Sequence, residues 1–131
     1  MKDITPGIIG RAEITSVTEE MLAKNVGSGS LEVFSTPSMA ALMEKAACSC
    51  VAEYLEGDET TVGTELNIRH TSASPGSISI YAEAELTAVD GRELSFEVRA
   101  FDSCGAIGSG THKRFVVSSG RFMNKTLAKI K

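Results

Sequence analysis

The chain has 131 residues, a net charge of −4 and 42% hydrophobic residues. That length suffices for one compact domain with a hydrophobic core, and we expect residues 1–131 to form a single domain. The mild acidity argues against a general nucleic-acid-binding protein, which would carry a basic stripe. No apolar run approaches the ~20 residues that span a bilayer. The N-terminus lacks a signal peptide, so we expect a cytoplasmic protein without membrane or nucleic-acid partners.

The first elements in chain order are a strand, a short helical turn and a flexible loop. Residues 7–17 have the pattern of a first strand, and a helical turn is expected in the segment that begins at Thr18. The run from Gly27 to Ser30 consists of small, flexible residues. We expect this run to be a loop that leads into the longest helix.

That helix is predicted to begin at Thr36, a favoured N-cap, with Pro37 at the first helical position. Gly57 is a natural end for it. One apolar stripe recurs at helical spacing and consists of Met39, Leu42, Met43, Ala46, Ala47, Cys50 and Tyr54. At about 100° per residue, Glu44 falls on the shoulder of this stripe, where an acid would border the core.

The second half of the chain alternates with period two, which predicts an antiparallel meander. Asp90-Gly91 is a strong hairpin signal, while Gly108 and Gly110 mark a bulge or a close backbone approach in the last strand. A final turn of helix is predicted within residues 121–131. In each of three successive strands, alternate residues are expected to share one face. These residues are Val62, Thr64, Leu66, Ile68 and His70 in the first strand, Ile78, Ile80, Ala82, Ala84, Leu86 and Ala88 in the second, and Leu94, Phe96, Val98 and Ala100 in the third.

The cysteines Cys48, Cys50 and Cys104 form neither a metal-binding nor a disulfide pattern. Their number is odd, no Cys-x-x-Cys occurs, and no histidine lies at ligand spacing, so we expect no metal site. We predict buried, reduced thiols.

Three side chains could meet where the helix crosses the strand that ends in His70. These are the hydroxyl of Thr36, the carboxylate of Glu44 and the imidazole of His70. Each has a purely structural alternative. Thr36 could serve only as a cap, Glu44 could be a solvated surface acid, and His70 could be satisfied by a backbone carbonyl.

The densest basic cluster is His112-Lys113-Arg114, where His112 and Arg114 share one face of a strand. It could contact a phosphate or nucleotide. Composition alone favours the alternative, ordinary charge on an edge strand that blocks aggregation.

These features together resemble the fluoroacetyl-CoA thioesterase branch of the hotdog fold. The resemblance rests on "STPSMAALMEKAA" and "VGTELNIRHTSASPGSISIYAEAEL" and extends over residues 7–117. Four residues match the family's motif in type and spacing: Thr36, Glu44, Gly63 and His70. The resemblance implies an α+β hotdog fold, in which an antiparallel sheet wraps around one long helix.

The resemblance also implies a catalytic set of Thr36, Glu44 and His70 at a homodimer interface, with helix and strand residues from different subunits. The dimers could pair into tetramers. The implied substrate is an acyl-CoA, and no cofactor is implied beyond the CoA of the substrate. His112 and Arg114 are implied to lie near CoA. We further expect backbone amides around Gly63-Thr64 to hold the carbonyl oxygen, because glycine lets the substrate approach.

The predicted reaction is hydrolysis of an acyl-CoA to a carboxylic acid and CoA. The fluoroacetyl enzyme has bulky aromatic residues in the segment before the helix, where this chain has Gly27 to Ser30. We therefore expect a different acyl group. The alternatives are a non-catalytic acyl-CoA-binding hotdog module and a structural dimer. A hotdog hydratase fits less well, since no Asp has a His about five residues away.

Overall fold

The computed structural model describes residues 1–130, which form a five-stranded antiparallel sheet and one long helix. The sheet order is β1-β3-β4-β5-β2, so β1 and β2 are the edge strands. The strands are β1 (Ile9–Ile14), β2 (Glu59–His70), β3 (Ile80–Asp90), β4 (Glu93–Asp102) and β5 (Gly105–Ser118). The helices are α1 (Ala23–Val26), α2 (Thr36–Val51) and α3 (Ser119–Leu127), with 3-10 turns at Glu19–Met21 and Ala52–Tyr54.

Helix α2 packs on one face of the sheet, mainly against β1 and β3. Its buried residues are Met39, Leu42, Met43, Ala46, Ala47, Cys50 and Val51, which confirms the predicted apolar stripe except at its far end. This arrangement of an antiparallel sheet and one long helix is the predicted α+β architecture. Strands β3, β4 and β5 supply most of the facing side of the core, and over much of each strand every second residue is buried.

The helix begins at Thr36, and its N-cap is Ser35, one residue before the predicted cap. Ser35 has an extended backbone, and its hydroxyl accepts a hydrogen bond from the Ser38 N–H at 3.2 Å. Thr36 is therefore the first helical residue, and its prediction as the N-cap is wrong. The predicted end at Gly57 is also wrong, since α2 ends at Val51 and a 3-10 turn follows. Because Ser35 caps the helix, the Thr36 hydroxyl is available for another contact.

Strand β2 contains a bulge that changes which side chains face the helix. Its register with β5 shifts between Gly63 and Glu65, so that Thr64 is the extra residue. Thr61 is buried before the bulge, whereas Thr64 is exposed. The prediction that Thr64 shares a face with His70 is therefore wrong, because an inserted residue interrupts the alternation.

A second bulge lies in β3, where the register with β4 shifts between Leu86 and Ala88. It leaves Ala88 exposed, contrary to prediction, for the same physical reason. The other predicted core positions of these two strands are buried: Ile80, Ala82, Ala84, Leu86, Leu94, Phe96, Val98 and Ala100.

The glycine predictions for turns and close contacts are confirmed. Gly91 adopts φ +61° in the two-residue turn between β3 and β4. A Cβ on Gly108 would lie 2.6 Å from the Arg69 carbonyl oxygen, and one on Gly110 would meet the Asn67 carbonyl oxygen. The backbones of β5 and β2 therefore pack too closely for side chains at these positions.

The cysteines are free thiols in the described part of the chain. Only Cys50 is buried, whereas Cys48 is partly buried and Cys104 exposed, so the prediction of burial is wrong for Cys104. Cys104 lies in the tight turn between β4 and β5, which the core does not cover. Among residues 1–130, each helix is too short or too polar to cross a membrane.

Candidate active site

A hydroxyl and an imidazole lie in contact at the start of α2. The Thr36 Oγ1 and His70 Nδ1 atoms are 2.8 Å apart, one at the first residue of the helix and the other at the last residue of β2. The Phe34 ring and the imidazole form a T-shaped pair, with centroids 6.5 Å apart and an interplanar angle of 80°. This contact and the hydrogen bond hold the His70 ring in one orientation.

The surroundings of His70 favour its neutral form. Burial lowers the pKa of this histidine below 6.5, so the imidazole is uncharged at neutral pH. Its Nε2 atom is buried and has no hydrogen-bond partner among the described residues. A neutral imidazole can accept the Thr36 proton at Nδ1, and Nε2 is left to interact with a bound molecule. The pair therefore has the geometry of an activated nucleophile.

A cavity of about 500 Å³ opens beside the pair. The loop between α1 and α2 forms one wall, and the residues that follow β2 form another. Its size falls within the usual range for small-molecule sites. The lining includes Ser28, Gly29, Ser30, Leu31, Phe34, Thr36, His70 and Ser72.

The third predicted residue, Glu44, lies away from this pair. It is eight residues beyond Thr36 on the same helix, which corresponds to about 12 Å along the axis. Within residues 1–130 no hydrogen bond or ion pair joins Glu44 to Thr36 or His70. The expectation that the three side chains meet is therefore wrong for a single chain, although their roles as site residues stay predictions.

Glu44 instead forms an ion pair with a buried arginine. Its Oε2 atom accepts a hydrogen bond from the Arg114 Nη1 group at 3.2 Å, and the Glu44 side chain is 41% exposed. Arg114 also donates from Nε to the Thr61 hydroxyl at 2.8 Å and from Nη2 to the Thr61 carbonyl at 3.0 Å. The carboxylate thus faces solvent on one side and a fixed cation on the other.

The basic cluster is not the edge-strand charge that composition favoured. Strand β5 lies between β4 and β2, and the residues His112 and Arg114 are only 1% and 6% exposed. Lys113 points to the opposite face and pairs with Glu93 at 3.7 Å. Thr61 was not among the predicted site residues, because the bulge that places it beneath Arg114 leaves no spacing signal.

Gly63 and Thr64 lie at the bulge beside Glu44. A Cβ on Gly63 would lie 2.7 Å from the Glu44 Oε2 atom, so only glycine leaves room for the carboxylate in this position. Thr64 is exposed, and its hydroxyl donates to the Lys113 carbonyl at 3.2 Å. Seven residues of extended strand, about 23 Å, separate Gly63 from His70. These amides therefore accompany Glu44 and not the Thr36–His70 pair of the same chain.

Comparison of this sequence with known proteins identifies similar thioesterases. A family model described as fluoroacetyl-CoA-specific thioesterase matches residues 17–120. The fluoroacetyl-CoA thioesterase of Streptantibioticus cattleyicolor is 43% identical over 98 residues, which are 75% of this chain and 70% of that protein.

Solved structures agree with the fold. A fluoroacetyl-CoA thioesterase, solved as a Thr-to-Ser variant in complex with acetyl-CoA, is 32% identical over 98% of this chain and 100% of its own, with a TM-score of 0.91. A hot-dog-like protein from Thermanaerovibrio acidaminovorans has a TM-score of 0.86 at 17% identity, over 98% of this chain and 94% of its own. The predicted hotdog fold is thereby confirmed.

Proposed function

The chain belongs to the fluoroacetyl-CoA-specific thioesterase family, and from this membership we propose that it hydrolyses an acyl-CoA thioester to a carboxylic acid and CoA. The observation that carries the proposal is the 2.8 Å contact between Thr36 Oγ1 and His70 Nδ1 beside the cavity. A nucleophile in hydrogen-bond reach of its base, open to a cavity, is the arrangement that acyl transfer needs.

The proposed reaction has two steps. In the first, His70 accepts the Thr36 proton while the Thr36 oxygen attacks the thioester carbon. The carbon–sulfur bond breaks, and the CoA sulfur leaves with the proton from His70. In the second step, His70 accepts a proton from water, which attacks the Thr36 ester. The acid is released and the proton returns to Thr36.

Glu44 reaches this site from a second copy of the chain. Strand β2 pairs only with β5 in the described chain, so its other edge is open. A twofold axis that pairs β2 with its copy runs the two α2 helices antiparallel. The partner's Glu44 then approaches Thr36 and His70 of the first subunit. We therefore propose a homodimer with two shared sites, each with the carboxylate directed at the water of the second step.

The same symmetry assigns a role to the bulge beside Glu44. Gly63 and Thr64 belong to the same subunit as the carboxylate, so their backbone amides enter the shared site with it. Peptide N–H groups at this point can hold the developing oxyanion of the thioester carbonyl. In this proposal, the subunit that binds the oxyanion is the one that does not supply the nucleophile.

The cavity supports an acyl group larger than fluoroacetyl. Its outer wall consists of Ser28, Gly29 and Ser30, whose side chains take up little space. The cavity volume of about 500 Å³ leaves room for part of the CoA arm and for an acyl group of more than two carbons. The substrate is therefore proposed to be a longer or branched acyl-CoA.

A thiol-release assay tests the proposed function. Purified protein is incubated with acyl-CoAs from acetyl to long-chain and aryl, and a thiol-reactive dye reports free CoA. We expect release that depends on His70 and increases beyond the two-carbon substrate. Binding of CoA esters without thiol release from any of them would identify a non-catalytic acyl-CoA-binding module instead.

A further inference from the structure

Four of the five N–H donors of the Arg114 guanidinium are engaged by protein groups. The Arg114 side chain is 8% exposed. Its four contacts are the Thr61 hydroxyl, the Thr61 carbonyl, the Glu44 carboxylate and the His112 imidazole. An arginine has five N–H donors, so these four contacts leave one N–H for any further partner. A side chain in this state is poorly suited to hold a phosphate of CoA, which needs an accessible cation.

The hydrogen bonds of His112 determine its tautomer. Its Nδ1 atom lies 2.7 Å from the Glu65 carbonyl oxygen, which can only accept, so Nδ1 carries the proton. The Nε2 atom, 3.2 Å from the Arg114 Nη1 group, then carries the lone pair and accepts from it. Burial lowers the pKa of His112, which agrees with this neutral form. The imidazole thus orients the same nitrogen of Arg114 that binds Glu44.

From these contacts we infer that Arg114 and His112 are positioning residues that hold the Glu44 carboxylate in place for catalysis. The inference rests on the proposed role of Glu44 in thioester hydrolysis. It differs from the expectation that these two residues contact CoA, because their polar atoms point into the protein. His112 fixes Arg114, and Arg114 directs one carboxylate oxygen inward. The other oxygen is then free to face the substrate and water.

Gly63 lies against the Glu44 carboxylate, beside Arg114 and His112. The ideal Cβ position on this residue would lie 2.7 Å from the Glu44 Oε2 atom, 3.3 Å from the Arg114 Nη1 atom and 3.4 Å from the His112 ring. The carboxylate, the guanidinium and the imidazole therefore converge on one point of the β2 backbone. Such convergence fits a site that holds a side chain in a defined position.

A double-mutant cycle on activity tests the inference. Because Arg114 acts through Glu44, Arg114→Met should lower kcat by about 100-fold in the native background, the usual cost of a misplaced catalytic group. The same substitution should change kcat less than about twofold in the Glu44→Gln background, because the carboxylate that Arg114 would position is already absent. An equal loss in both backgrounds would show that Arg114 acts independently of Glu44 and would overturn the inference. An unchanged rate in Glu44→Gln alone would instead overturn the proposed role of Glu44.

Two substrates separate positioning from phosphate contact. The loss in Arg114→Met should be equal for an acyl-CoA and for the matching N-acetylcysteamine thioester, which has no phosphate. A rise in KM confined to the CoA substrate would identify a phosphate contact and contradict the inference. Lys113→Gln is the matched control, since Lys113 is the neighbouring cation on the opposite face, and its rates should equal those of the native protein.

Two substitutions at His112 test the link to Arg114. Gln can accept a hydrogen bond from Arg114, whereas Phe cannot, although it keeps the stacking on Phe96 at 6.0 Å. His112→Gln should therefore retain more of the native kcat than His112→Phe. The reverse order would argue against a role through Arg114.

Thermal unfolding gives a measurement that does not depend on turnover. The Tm changes of Glu44→Gln and Arg114→Met should be non-additive in the double variant, because the two residues share an ion pair. Additive changes would show that the side chains are not coupled and would overturn the inference even if no substrate were turned over.

Discussion

The Thr36 hydroxyl and the His70 imidazole lie 2.8 Å apart although 34 residues separate them in the chain. Two local features produce this contact. Ser35 takes over the capping of α2, and β2 continues as a strand up to His70. The contact makes Thr36 a candidate nucleophile, whereas a capping role would have occupied its oxygen.

Removal of either partner should reduce turnover. His70→Ala and Thr36→Ala are each expected to lower the rate of thiol release by about 100-fold or more, since proton transfer by a positioned base contributes that much. Thr36→Ser should retain most of the rate, because it keeps the hydroxyl. Thr126→Ala, on the exposed helix α3, is the control. Native rates in both alanine variants, with correct folding, would contradict the assignment.

The capping assignment predicts a contrast in stability. Ser35→Ala removes the acceptor of the Ser38 N–H and should lower the free energy of unfolding by about 1 kcal/mol. Thr36→Ala removes no cap and should cost clearly less. Urea denaturation of the two variants measures the difference. A larger loss in Thr36→Ala would restore Thr36 as the cap.

The two histidines predict how stability depends on pH. Burial lowers the pKa of both His70 and His112 in the folded protein below 6.5. The unfolded chain therefore binds more protons below pH 6.5, so stability is full above that value and decreases as the pH falls. Denaturation in urea should show a lower free energy of unfolding at pH 5.5 than at pH 7.5. Greater stability at pH 5.5 would mean that the histidines are charged when folded.

A side chain at position 63 should impair catalysis by displacing Glu44. In Gly63→Ala the new Cβ would lie 2.7 Å from the Glu44 Oε2 atom and should displace the carboxylate. We expect kcat to decrease at least about tenfold, by loss of alignment. Gly76→Ala is the matched control, since its nearest atoms would be 3.9 Å and 4.0 Å away. Equal rates in the two variants would show that the close contact at Gly63 does not position Glu44.

Sequence reasoning predicted the elements of the fold well, because its strongest signals are periodic. The apolar stripe of α2 and the alternation of β4 depend only on spacing, and both are found as predicted. The errors arise where a single residue shifts a pattern. The bulge at Thr64 is one such place, because no residue type in this segment indicates that the register shifts there.

The site was predicted less completely, for a physical reason. The type and spacing of Thr36 and His70 indicated their contact, since both lie at element ends that the fold brings together. The burial of Arg114 could not be predicted, because it depends on β5 being a central strand and on Thr61 lying beneath it. From the sequence alone, a buried arginine in such a position cannot be distinguished from an arginine on the surface.

Each active site is proposed to be shared between two subunits, with Thr36 and His70 from one and Glu44 of the partner subunit. A mixed dimer of one Thr36→Ala subunit and one Glu44→Gln subunit, purified through two different tags, tests it directly by thiol release. Each homodimer should be about 100-fold or more below the native rate. The mixed dimer should recover about half of the native rate, because one of its two sites is intact. A mixed dimer as inactive as the two homodimers would contradict the claim, since it would show that all three residues act from the same chain.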